Sequence, residues 1–481
     1  MKVVTSAQMR LIENRDIKDG RYNSQEYAIL IATALQNTVI ADDPEEVVVL
    51  CGENANGEYG LLLAYLLFKN SRIKTKVVYH GSKENSYYQL VIRNGIEVFE
   101  DPRIIKNTIE NCRYAVDCLY GTELDEMISY PDNYIINWLN SSDCYVLSCD
   151  LPSGLDGNDG SLFGCCVRAD KTMCIELPKL GLFLKPGSEY VGELVVEGVG
   201  ISMDAINSVE STISLADNSS LTQIIRKQHQ PKRVLYFAGS GYGSSAYLLT
   251  AKSLMSCGCD DLTVAGDRES CQMVGQNLYE VKRTVLSDEN LTENLTELKM
   301  DEYDLVIFSG GFKRNYPLLK EIMSSDRTVL IDHKAALELK GHEELLKRSA
   351  STVLICDKEG YDQLFHDDSP ANWLDKAHSL VRDYPDLRIV NYADYVILLS
   401  AAGINIAESW PVLNSKAGMR DVVLGTLGSF LAQHQSDSSI SSALRLVFEA
   451  VKNYQKEHYS YSLSAGELIS LLESELYSLS K

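Results

Sequence analysis

No block of lysine and arginine interrupts this 481-residue chain, and Asp plus Glu outnumber Lys plus Arg by 67 to 45, a net charge of −22. Nucleic acid and anionic membrane surfaces meet net repulsion from such a chain, so neither is expected as a partner. Long apolar runs are also missing. The longest weakly polar stretch, "YVILLSAAGINIA", is shorter than the roughly 18 residues a membrane span needs, and the opening "MKVVTSAQMRLIENRD" carries no apolar leader core. A soluble, cytoplasmic protein is expected. Histidine is scarce, with eight in all, at positions 80, 229, 333, 342, 366, 378, 434 and 458. None stands with a Ser or Cys in a nucleophile motif such as G-x-S-x-G, which argues against a serine hydrolase. The turn "GSGYGSS" (239–245) reads better as a helix cap or anion contact.

Cysteine is not scarce, but its pattern excludes two uses. The twelve cysteines are scattered through apolar, strand-like segments, as at Cys51, Cys118, Cys149 and Cys174. In a chain this long they read as buried free thiols, not a disulfide frame. Cys257 with Cys259, and Cys165 with Cys166, lack the two-plus-two spacing and neighbouring histidines of a zinc site.

What is present is a core and a rhythm. At 45% hydrophobic residues the chain can build two or three domains. Short β-branched runs ("EEVVVLC", "TKVVYHG", "IEVFED", "RYAVDCLYG", "DCYVLSCDLPSG") alternate with helical stretches, which predicts a parallel, doubly wound α/β sheet over residues 1–203. Residues 204–231 are polar and weakly periodic and read as a linker carrying at most one short strand or helix. A second α/β series fills 232–481, closing on an amphipathic helix in "SYSLSAGELISLLESELYSL".

Three loops of the first half follow strands, and in an open parallel sheet the strand C-termini line one crevice. The first, "GENANGEYG" (52–60), holds Asn54, Asn56, Gly57 and Gly60; without Gly-Lys-Ser/Thr it is no phosphate loop of the P-loop kind. The second, "VDCLYGTELDEM", offers Asp117, Gly121 and Thr122, and the third, "CDLPSGLDGNDG", offers Asp150 and Ser153. Each alone is commonly a cap or a turn. Together, Asn56, Asp117 and Ser153 supply oxygens suited to a hard cation, and Asp150 a carboxylate for proton transfer.

The order "VDCLYGT", "DLPSGLDG", "ADKTMCIELPKLGLFLKPG", "YVGELVVEGVGI", after the first helix "MKVVTSAQMRLIENRDI", resembles the N-terminal half of the bifunctional NAD(P)H-hydrate repair enzymes. The resemblance implies a Rossmann-like epimerase domain that interconverts the R and S hydrates of NADH or NADPH at C6 beside a potassium ion. It implies Asn56, Asp117 and Ser153 as potassium ligands. Asp150 would be the acid/base contacting the substrate, with Ala55, Asn56, Gly57, Glu58, Tyr59, Gly121 and Thr122 around it. Ala55, Glu58 and Tyr59 depart from the family's N-N-G-G-D-G loop, and Ala32 and Thr33 replace a polar pair on the second helix. Glu58 placed about 4 Å from a phosphate charge would cost roughly 1 kcal/mol if hydrated and roughly 4 at an effective dielectric near 20, and almost nothing if it pointed outward.

The second half is similar, more faintly, to the ribokinase-like ADP- or ATP-dependent NAD(P)H-hydrate dehydratases, whose nucleotide, with Mg2+, phosphorylates the C6 hydroxyl. "VIFSGG", containing Gly310, "VLIDHKAAL", containing Asp332, and "NSKAGMRDVVLGTLGSFLAQ", containing Gly418 and Asp421, keep the order of the family's motifs. Asp421 is the implied catalytic residue. Asp357 stands at a substrate-binding His, Lys334 at an Asp, and Asn391 and Tyr395 at the Lys and Thr of a nucleotide-contacting segment. Met419 and Arg420 replace Ser-Gly at a helix start whose bare amides would bind phosphate. Arg420 either blocks that hole or offers its guanidinium to the same anion; the loss of the other contacts favours blockage. The resemblance thus implies an epimerase joined to a dehydratase with eroded motifs, acting on a small molecule, with oligomers usual in the family. The competing reading is a catalytically silent descendant that binds a nucleotide or a protein.

Overall fold

The computed structural model describes residues 1–216, 218–226, 231–239, 244–286, 295, 297–312, 315–365, 373–392, 395–409 and 416–480. The chain divides into two compact units, Met1–Ser211 and Thr212–Lys481.

The first unit is built on seven parallel strands: β1 Glu46–Cys51, β2 Lys74–Tyr79, β3 Glu97–Phe99, β4 Tyr114–Cys118, β5 Tyr145–Cys149, β6 Lys171–Ile175 and β7 Glu193–Glu197. Their order is β3-β2-β1-β4-β5-β6-β7. The run "EVVVLC" forms β1 because both its faces are covered. Val47, Val49 and Cys51 pack on the side of the helices α1 (Ser6–Lys18), α2 (Ser24–Asp42) and α3 (Ala55–Asn70), while Val48 and Leu50 pack on the side of Ile105, Ile109, Ile135 and Ile136. The order reverses between β1 and β4, so the loops leaving those two strands diverge and open a crevice at their C-terminal ends.

The second unit carries a ten-stranded sheet made of β8 Ile213–Leu215, β9 Arg233–Ala238, β10 Asp261–Gly266, β11 Lys282–Val285, β12 Leu305–Phe308, β13 Thr328–Ile331, β14 Thr352–Asp357, β15 Leu387–Tyr392, β16 Tyr395–Ser400 and β17 Gly403–Ser409. The order is β11-β10-β9-β12-β13-β14-β15-β16-β17-β8. It is parallel from β11 to β15, and β16 runs antiparallel to both its neighbours. The helices Met419–Gln433, Asp437–Gln455 and Ala465–Ser480 cover one face, and the closing helix contributes Leu468, Ile469 and Leu472 to the core.

Residues 204–231, expected as a linker, are instead shared between the units. The helix Met203–Asn207 ends within the first, and β8 and the helix Asn218–Arg226 belong to the second, where β8 pairs with β17 and Leu221, Ile224 and Ile225 join the core. A three-residue edge strand and a nine-residue helix are too short for their periodicity to stand out among serines and asparagines. All twelve cysteines are free, eleven of them buried. Among the described residues no helix is long and apolar enough to cross a membrane.

Candidate active site

In the first unit three loops converge at the crevice. Asn54 caps α3, accepting from the Gly57 amide (3.1 Å) and donating to the Leu119 carbonyl (2.5 Å). Gly57 is required there: a Cβ on it would lie 1.9 Å from the Gly52 carbonyl oxygen. Asn56, buried in that first turn, donates from Nδ2 to the carbonyls of Tyr120 (2.8 Å) and Cys149 (3.1 Å). Asp117, wholly buried at the end of β4, accepts from Ser153 Oγ (2.6 Å), Ser148 Oγ (2.8 Å), the Ser153 amide (2.9 Å) and the Leu119 amide (3.2 Å). Burial pushes its pKa upward against the pull of those bonds. Ser153 Oγ in turn accepts from the Tyr120 amide (2.8 Å).

Asn56, Asp117 and Ser153 are thus tied together through residues 119–120. Two carbonyls, a hydroxyl and a carboxylate meet beside the Asn56 amide, and turning that amide about its last bond replaces nitrogen by oxygen. An all-oxygen set with one formal negative charge fits a hard cation of low charge such as potassium. Among the described residues no three His, Cys, Asp or Glu gather as a metal-holding group.

Asp150 lies just past β5 with φ of 65°, a left-handed conformation that non-glycine residues rarely adopt, and its carboxylate is paired with the fully buried Lys179 ammonium. Its Oδ1 also accepts from the Ile175 amide (3.1 Å). Burial opposes the charge on Lys179, but Asp150, with Cys174 and Glu13, outweighs it and holds the lysine above its usual range. Lys179 donates further to the Ile175 carbonyl (3.0 Å).

A small pocket opens over this pair, lined by Asn56, Tyr59, Thr122, Asp150 and Glu13, with Ala55 and Gly121 in its wall. Two expected neighbours of the substrate stand elsewhere. Gly57 is packed beneath the turn against Gly52, and Glu58 does not line the pocket because its carboxylate accepts from Asn85 Nδ2 (3.0 Å). Tyr59 does enter the pocket, and burial drives its pKa upward.

Lys179 and Glu13 were not singled out by the sequence. Lys179 sits inside the quoted "ELPKLG", where a lone lysine among apolar residues is a hint of a buried ion pair. Glu13 falls on the inner stripe of α1, four residues after Met9 and one after Ile12, both buried. Arg10 donates to the Thr122 carbonyl (2.6 Å) and so fixes α1 over the loop.

The second unit gathers a different set at the ends of β13 and β14 and the start of the helix Met419–Gln433. Gly418, at φ 86°, begins that helix without a side-chain cap. Arg420 Nη1 lies 3.2 Å from Asp357 Oδ2. Burial alone would raise Asp357, but the Gly360 amide and Arg420 hold its pKa low. Asp421 is pushed up to about 6 by burial and then by the nearby charge of Asp332, with Lys334, His333 and Arg420 opposing. Asp332 pairs with His333 Nδ1 at 2.6 Å. The Arg420 guanidinium is thus engaged by Asp357. Gly310, at φ 70°, packs toward Ala335. Asn391 is buried on β15, with Oδ1 unpaired among the described residues. Tyr395 opens β16 opposite Ser409, two strands from β14 and so roughly 10 Å away across the sheet. Residues 240–243 of "GSGYGSS" and residues 393–394 lie outside the described residues.

Two family profiles match the chain: "YjeF-related protein N-terminus" over residues 24–181 and "NAD(P)H-hydrate dehydratase" over residues 234–473. A bifunctional NAD(P)H-hydrate repair enzyme of Dictyoglomus turgidum is 28% identical over 310 residues, 60% of this chain and 59% of that protein. One from Synechocystis is 24% identical over 453 residues, 90% of this chain and 86% of the relative. A ribokinase-like superfamily protein of Enterococcus faecalis superposes with a TM-score of 0.49 at 16% identity, covering 56% of this chain and 98% of its own.

Proposed function

From a chain that belongs to the bifunctional NAD(P)H-hydrate repair family, we propose that the first unit interconverts the R and S hydrates of NADH or NADPH, and that the second retains a weakened ADP- or ATP-dependent dehydratase site. The observation that carries the epimerase reading is the pocket in which Asn56, Thr122 and Asp150 meet, with Lys179 buried behind Asp150. Thr122 and the Gly121 backbone offer hydrogen bonds to a polar ring. Asp150, paired with Lys179, is placed to take or return the proton of the C6 hydroxyl. Asn56, Asp117 and Ser153 would hold potassium, which supplies a fixed positive charge beside the substrate.

In the second unit Asp421 is the proposed base for the C6 hydroxyl, in a site that ADP or ATP with Mg2+ would enter. Because Arg420 is already paired with Asp357 across the helix start, phosphate meets a balanced ion pair there instead of bare amides, and binding is weakened.

Purified protein given separate R- and S-NADHX with potassium should interconvert them, and Asp150→Asn, which strands the buried Lys179 ammonium, should abolish this, with circular dichroism checking that the fold survives. ADP or ATP should drive slow recovery of NADH from the S hydrate. Failure to alter either hydrate would refute both assignments.

A further inference from the structure

Epimerisation at C6 has a requirement that one carboxylate does not meet. C6 carries a hydroxyl and a ring nitrogen, so its configuration is lost when the hydroxyl leaves and is reset when water returns to the opposite face. The departing oxygen must gain a proton and the arriving one must lose one. Two proton-transfer groups held in opposite states, on different walls of one pocket, satisfy this within a single turnover.

The pocket has a second acid. Glu13 projects from α1, whereas Asp150 projects from the loop after β5. Two fixings hold α1 in place: Arg10 on the Thr122 carbonyl, and hydrogen bonds from the Val4 amide to Pro178 O (3.0 Å) and from the Leu180 amide to Val4 O (2.8 Å). Glu13 therefore faces the pocket from an element anchored on both the 119–123 loop and the segment that supplies Lys179. The two carboxyl groups differ in their partners. Asp150 has the Lys179 ammonium directly on it, while Glu13 is raised to about 7 by burial, with Lys179 and Arg10 opposing and Asp150 and Glu123 assisting.

We infer that Glu13 is the second proton-transfer residue of the epimerase site, acting in the opposite sense to Asp150; the inference rests on the epimerase reading above. Glu13 gives its proton to the C6 hydroxyl as the C6–O bond breaks and the N1 lone pair forms an N1=C6 bond, releasing water. A water adding to the other face forms the new C6–O bond, returns the electron pair to N1 and yields a proton to the Asp150 carboxylate. Substrate and product have the same composition. One proton has passed from Glu13 to Asp150, and exchange with solvent restores both; the reverse reaction exchanges their roles.

The test uses the full chain with potassium and pure S-NADHX, following the approach to the R and S mixture from pH 5.5 to 9. Glu13→Gln is expected to lower kcat about 100-fold with KM little changed, and to lack the fall of kcat/KM above pH 7 expected of the wild type. Glu13→Asp should keep that alkaline limb. Thermal unfolding of Glu13→Gln at or above the wild-type midpoint would separate lost chemistry from lost folding. Glu13→Gln within threefold of wild type, or an alkaline limb unchanged in it, would overturn the inference while leaving the epimerase reading intact. A wild type that interconverts nothing would refute that reading itself, and the inference with it.

Discussion

Burial holds the Glu13 carboxyl up at about 7, well above the ordinary carboxylate range, a gap that also bears on folding. Its native pKa is raised, so the native state binds the extra proton. The stabilisation is full below pH 4.5 and is lost as pH rises toward 7, by an amount on the order of 3 kcal/mol. Chemical denaturation across that range should show this slope, and Glu13→Gln should flatten it. Asp421, raised to about 6, predicts a kinetic counterpart. If it is the base of the second unit, ADP-driven recovery of NADH should decline as pH falls through 6, because the carboxylate is the active form. At this scale Asn56, Asp117, Asp150 and Ser153 were legible because strand-terminal polar residues in a parallel sheet have few places to point. Glu13 and Lys179 were less so, since a charged residue in an apolar context announces burial without naming its partner.

Elements decide how closely these side chains can approach. The first turn of α3 presses on the end of β1 so tightly that Gly57→Ala, with a Cβ at 1.9 Å from the Gly52 oxygen, should cost about 3 kcal/mol or more. It should also displace Asn56, which is read out as a lowered unfolding midpoint together with a loss of potassium dependence. In the second unit, Arg420→Gly made together with Asp357→His should bare the helix start without stranding a carboxylate beside it and strengthen ADP binding, seen as a larger thermal shift at fixed ADP. The alternation of strands and helices was plain in the sequence because buried parallel strands are continuous β-branched runs. The edge strand β8 was not, because three residues carry no period and its partner β17 lies about 190 residues away.

Across the whole molecule the two sheets share no strand, each being complete within its own unit. A chain ending at Ser211 should therefore fold and retain epimerisation, which circular dichroism and the hydrate assay would check together. The Arg420–Asp357 pair has a meaning for the history of the chain. Where the resemblance implies a Gly and a His, this chain carries a cation and an anion in contact. Reverting Arg420 alone strands a partly buried carboxylate, and reverting Asp357 alone strands a guanidinium. The two positions thus form a ratchet: each change made the return of the other costlier, and the path back to a strong phosphate site requires both steps at once.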